Sequence, residues 1–165
     1  MSKINPFILG IIIFLVLVIV GGIVFAYTTA DKTPKTYSAE SPDRPKAELS
    51  ASFADLGQMK VSEIKTLDFF LKNTGNQNLE INNISTSCDC TFAQITIGDK
   101  ISPRFSMHQN PNWMGQIEPG REAKVTASYE PARMPVKGKV ERSVYIRTND
   151  PQKPDIVLTL VAEVN

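Results

Sequence analysis

The two cysteines of this 165-residue chain stand one residue apart, in Ser87-Cys88-Asp89-Cys90-Thr91. Residues i and i+2 of an extended strand point to the same face, so both sulfurs are expected to project together from the end of the strand that precedes them. Three chemistries fit that geometry. The thiols can pack as small buried hydrophobes. They can close a disulfide across Asp89, which needs a kinked backbone because the Cα atoms of an extended i, i+2 pair lie near the upper limit for bridging. Or, as thiolates, they can share a soft metal ion.

The metal reading draws on the rest of the chain. Met107, His108, Met114 and Met134 are soft or borderline ligands, and with the cysteines they suit Cu(I) better than a hard cation. Closed structural zinc usually takes four Cys or His ligands, and two cysteines with one histidine make three. The candidate metal residues are therefore Cys88, Cys90, Met107 and His108, with copper as the cofactor. Packing is the competing account and implies no cofactor: methionines fill irregular core gaps, and Phe105 with Trp113 would pin a long loop onto a core. Thiol-disulfide exchange is the remaining chemistry, since exported thiols meet an oxidising compartment. Against it stand the carboxylate of Asp89, which discourages a neighbouring thiolate, and the lack of a Cys-x-x-Cys motif.

Other function classes fall away on composition. A single histidine, with neither a nucleophile elbow nor a phosphate-binding glycine loop, argues against an enzyme. A formal charge of +1 without a basic block argues against nucleic acid as a partner.

The elements that must position these residues begin after a five-residue head, 1–5. Pro6 to Tyr27 carries no charge and is dominated by Ile, Leu, Val and Phe. As a helix it would reach about 33 Å, enough to cross the hydrocarbon core, and it is longer than the apolar core of a usual signal peptide. Residues 6–27 are read as an uncleaved signal anchor in the lipid bilayer. Positive charges alone, Lys3 and the amino terminus against Lys32 and Lys35, slightly favour the carboxyl-terminal domain inside; long domains translocate despite such counts and a short head retains little, so that domain is expected outside the cytoplasm. Residues 28–46, with Pro34, Pro42 and Pro45 among polar side chains, have the composition of a disordered tether.

From Ala47 the hydrophobic period becomes two. Leu67, Phe69 and Leu71 form one apolar face; Leu79, Ile81 and Ile84 form another, with a bulge expected at Asn82-Asn83 where the alternation slips. Ala123, Val125, Ala127 and Tyr129 make an inward row, Val144 and Ile146 mark a further strand, and Ile156 to Val164 the last. Asn73-Thr74-Gly75-Asn76, Glu118-Pro119-Gly120 and Asn149-Asp150-Pro151 supply turns. About seven short strands without an amphipathic helix predict an all-β, immunoglobulin-like antiparallel sandwich over residues 47–165. An inter-sheet disulfide is ruled out, because both cysteines belong to one strand end.

Phe69-Phe70-Leu71-Lys72-Asn73-Thr74-Gly75-Asn76, Leu79-Glu80-Ile81, Ser87-Cys88-Asp89-Cys90-Thr91, Pro119-Gly120 and Thr148-Asn149-Asp150-Pro151 together resemble family 1573 of the bacterial domains of unknown function. The resemblance spans most of Leu67 to Val164. It implies a PapD-like, major-sperm-protein-like sandwich in an exported or membrane-anchored bacterial protein, without an established activity. Asp89 stands where that family more often has Gly, and residues 92–118 read as a long insertion. Some members have a second histidine where this chain has Met134. The function expected from the whole is a non-catalytic, membrane-anchored domain of the bacterial cell envelope that binds a protein or envelope partner.

Overall fold

Strict alternation of buried and exposed positions builds the molecule after residue 46, and unbroken hydrophobicity builds what comes before. The structure, a computed structural model, describes residues 6–29 and 36–165. The head at 1–5 and the 30–35 part of the tether lie outside the described residues. Contacts divide the chain into two units, 1–34 and 35–165. In the first, Pro6–Thr29 forms helix α1, with proline at the position where its missing N–H costs nothing. Phe7–Ala26 is long and apolar enough to cross a membrane, by length and composition.

The second unit is a sandwich of two five-stranded sheets. Its strands are β1 (Ala47–Leu49), β2 (Phe53–Met59), β3 (Lys65–Asn73), β4 (Leu79–Thr86), β5 (Thr91–Ile97), β6 (Lys100–Ile101), β7 (Met114–Ile117), β8 (Glu122–Tyr129), β9 (Gly138–Thr148) and β10 (Asp155–Val164). One sheet runs β1-β3-β8-β5-β6 and the other β2-β10-β9-β4-β7. All pairs are antiparallel except β2 with β10, which is parallel, so the expected wholly antiparallel pattern is broken at that edge. Ten strands replace the expected seven or so: β1, β6 and β7 have only three, two and four residues, too few for a period to register, and the burial of β2 and β5 does not alternate cleanly.

The inward rows meet between the sheets. Phe69, Leu71, Ile95 and Val125 come from the first sheet, and Ile81, Ile84, Val144, Ile146, Leu158 and Leu160 from the second, all essentially without solvent contact. Each such side chain stabilises the fold by roughly 1.5–3 kcal/mol through burial. The slip in β4 falls where the alternation predicts it: pairing with β9 breaks between Asn82 and Ser85, and Asn83 takes φ +46°, a left-handed conformation that asparagine tolerates.

Two expectations are corrected. Residues 92–118 are not an insertion outside the sandwich, since they supply most of β5 and all of β6 and β7, and β5 pairs with β8 along its full length. The tether also ends early. Arg44 and Pro45 are buried, and Arg44 Nη1 meets Asp150 Oδ1 at 2.9 Å while the Ala47 amide donates to Asp150 Oδ2, also at 2.9 Å. A carboxylate buried at the β9–β10 turn holds the incoming chain.

Candidate functional site

Thr86 closes β4 in one sheet and Thr91 opens β5 in the other, so Ser87-Cys88-Asp89-Cys90 carries the chain across the sandwich. The expectation of two cysteines on one extended strand is thereby corrected: they sit in a turn. Thr86 Oγ1 lies 2.7 Å from the Cys88 carbonyl and 2.9 Å from that of Thr91, while the Ser87 amide donates to the Ser143 carbonyl at 2.9 Å. These bonds bend the backbone until the Cα atoms of Cys88 and Cys90 are 5.2 Å apart, and the sulfurs are joined as a disulfide. Cys90 is fully buried; Cys88 keeps 7% of its surface.

The sulfurs have polar neighbours. Thr91 Oγ1 lies 3.3 Å from Cys88 Sγ and 4.0 Å from Cys90 Sγ. Arg142 Nε donates to Cys90 Sγ at 3.3 Å. Arg142 shares the inward row of β9 with Val140, Val144 and Ile146, and its guanidinium carbon lies 5.7 Å from the centre of the Tyr129 ring. The Tyr129 hydroxyl is buried without a hydrogen-bond partner, directly across the β5–β8 ladder from Thr91.

Asp89, between the cysteines, reaches the 106–109 turn. Ser106 Oγ donates to Oδ1 at 3.1 Å, the His108 amide to the same oxygen at 3.3 Å, and His108 Nδ1 lies 2.5 Å from Oδ2. The His108 side-chain bond, helped by Ser106 and the His108 amide and opposed by partial burial, holds the Asp89 carboxyl below the usual carboxylate range. The Asp89 carbonyl accepts from Arg133 Nε at 3.1 Å. Arg133 and Arg104 both lie over the Phe92 ring, with guanidinium carbons 4.9 and 3.6 Å from its centre, and both pair with Glu130.

Of the four residues read as a copper set, His108 is therefore brought to the cysteine turn through Asp89. Met107 is half exposed, and the sulfurs of Cys88 and Cys90 are bonded to each other. Met134 is exposed and Met114 lies on β7. Phe105, fully buried, packs against Trp113 with ring centres 5.8 Å apart and exchanges backbone bonds with Ala93. Arg142 and Tyr129 are the site residues that cysteine spacing does not reveal. The signal was present: Val140-x-Arg142-x-Val144-x-Ile146 puts a guanidinium in phase with an apolar row.

Residues 45–163 match the HYDIN/CFA65/VesB-like, Ig-like domain. Solved structures share the fold. A protein of unknown function from Porphyromonas gingivalis W83 superposes with a TM-score of 0.55 at 21% identity, over 72% of this chain and 46% of that one. A family 123 glycoside hydrolase from Clostridium perfringens gives 0.53 at 10% identity, over 74% and 27%. The human CEP192 PapD-like domain 7 gives 0.49 at 14% identity, over 81% and 92%. The chain thus spans less than half the length of the Porphyromonas protein. No curated protein sequence matches it.

Proposed function

The chain belongs to the HYDIN/CFA65/VesB-like family of Ig-like domains, and from that premise we propose that it is a non-catalytic binding module which receives an extended segment of a protein or envelope partner at a sheet edge. The observation that carries this reading is the mismatch between β1 and β3. β1 covers β3 only from Leu71 to Asn73, and Ser50 extends the contact to Phe70. Alternation then turns the backbone groups of Thr66 and Asp68 toward an edge that no described strand pairs. Ile64 and Phe70, both exposed, flank it. Strand addition uses such an edge: main-chain bonds give affinity and flanking apolar side chains give register. The seven-residue edge at β2 is less open, because Lys65 Nζ donates to the Leu56 and Gln58 carbonyls at 2.7 and 2.8 Å.

Helix α1 is the proposed anchor in the lipid bilayer, with the sandwich outside the cytoplasm, and the ordered Ser-Cys-Asp-Cys-Thr and Thr-Asn-Asp-Pro motifs support placement in family 1573 of the bacterial domains of unknown function. Photo-crosslinking in cells tests the edge. A crosslinker at position 68 is expected to trap a partner that Thr66→Pro abolishes, since proline removes an outward N–H. Equal trapping from the outer face of β9 would sink the reading. Protease added to spheroplasts should digest the sandwich, and protection would reverse the orientation.

Copper(I) binding by the reduced pair with Met107 and His108 is a second reading. The contact of His108 with Asp89 favours it by bringing a nitrogen ligand to the cysteine turn. Metal analysis of the reduced full chain, with Cys88→Ser plus Cys90→Ser as control, decides it.

A further inference from the structure

A disulfide exchanges readily when one sulfur can be reached and the other leaves as a stabilised thiolate. The two cysteines differ in both respects. Both are buried, Cys88 keeping 7% of its residue surface and Cys90 none. Cys90 Sγ, in turn, receives the Arg142 Nε–H at 3.3 Å, a charged donor spent on an acceptor that is weak while the sulfur is bonded and strong once it is a thiolate. Among the described residues Arg142 pairs with no carboxylate. Its other bond runs from Nη1 to the Glu141 carbonyl. Arg142 is half-buried, with its Nη1 side at the surface, and its Nε–H is turned to the sulfur rather than to a carboxylate. A sulfur that becomes anionic is the partner which that orientation suits.

The Tyr129 ring lies under that guanidinium, its centre 5.7 Å from the guanidinium carbon, and the Tyr129 hydroxyl is buried without a partner, where buried hydroxyls normally find one. Cys88 Sγ has neutral donors of its own, Thr91 Oγ1 and the Cys90 amide, each at 3.3 Å, while Thr91 Oγ1 lies 4.0 Å from Cys90 Sγ, so what distinguishes Cys90 is the charged donor. The Asp89 oxygens are bonded within the 106–109 turn, to Ser106 and His108, and no contact joins them to either sulfur. The charge in contact with sulfur is positive.

We propose that Cys88 and Cys90 form a thiol-exchange site for an external dithiol, with Cys88 the sulfur attacked and Cys90 the thiolate released onto Arg142. In the first step a thiolate of the dithiol bonds to Cys88 Sγ, the Cys88–Cys90 bond breaks, and its electron pair leaves on Cys90. In the second, the reagent's other thiol, having lost its proton to water, attacks the reagent sulfur of the mixed disulfide and expels Cys88 as a thiolate. The dithiol ends as a disulfide and the protein as a reduced pair, Cys88 taking a proton from water and Cys90 remaining the thiolate, with two electrons transferred. The site is separate from the β3 edge, and neither reading depends on the other.

The test uses the full chain in detergent, with dithiothreitol as the dithiol and glutathione disulfide as the probe of single cysteines. Under native conditions Arg142→Gln is expected to slow reduction at least tenfold and Arg142→Lys to restore part of the rate. Reduced protein should show ultraviolet thiolate absorbance at neutral pH that Arg142→Gln lacks. Should Arg142→Gln fail to fold, the single-cysteine chains decide: Cys90→Ser, which keeps Cys88, should form the mixed disulfide with glutathione at least tenfold faster than Cys88→Ser. Equal rates in that pair, reduction unaffected by Arg142→Gln, or reduction no faster than global unfolding would each overturn the proposal.

Discussion

Asp89 shows how one side chain joins distant parts of the chain. Position 89 was legible as the residue between two cysteines, but its partners, seventeen and nineteen residues on, were not, because no local pattern encodes them. Its depressed titration has a consequence with a definite sign. A carboxylate favoured in the folded state stabilises fully above the ordinary value of about 3.9, and that contribution disappears as pH falls through the lower folded-state value. The urea midpoint of the full chain should therefore drop more steeply below about pH 4 than that of Asp89→Asn, and the two curves should run parallel from about pH 5 to 7. Arg44 makes a stronger case because its partner, Asp150, is buried. Arg44→Ala strands that carboxylate with only amide donors, and unfolding by denaturant should register a loss of about 3 kcal/mol.

At the scale of elements, β3, β4, β8, β9 and β10 were readable from their inward rows; the short β1, β6 and β7 were not, nor were β2 and β5, whose burial does not alternate cleanly. β3, β8 and β10 alternate inward and outward as their residues predict, whereas β1 exists because Arg44, Asp150 and the 73–76 turn hold it in place. Gly75 belongs to that turn, and the reason for glycine there is proximity. It does not have positive φ; instead, a Cβ would run into the Arg44 carbonyl and the Lys46 amide, which are backbone atoms and cannot rotate away. Gly75→Ala should cost about 1–3 kcal/mol in thermal or denaturant unfolding and raise amide exchange in β1 before it does so in β9. The left-handed glycine at position 120, φ +76°, is the one that turn chemistry alone predicts, after Glu118-Pro119.

For the whole molecule, the question is what holds the two sheets together. The disulfide lies in the connection between them, but it closes a ring of only three residues, and chain-entropy arguments give so small a loop little leverage. Cys88→Ser combined with Cys90→Ser should lower stability by no more than about 2 kcal/mol. Leu158→Ala, fully buried between the sheets, should cost about 2–5 kcal/mol in the same assay. A larger loss from the cysteines than from Leu158 would show that the bridge is structural. By itself the sequence determined an apolar helix, a sandwich after it, and the inward rows, since period and hydrophobicity are local properties that burial only amplifies. The tertiary structure alone decided that the cysteines occupy a crossing turn, that His108 and Ser106 meet Asp89, and that Arg142 reaches Cys90, because those contacts join residues far apart in sequence whose approach is set by which strands pair.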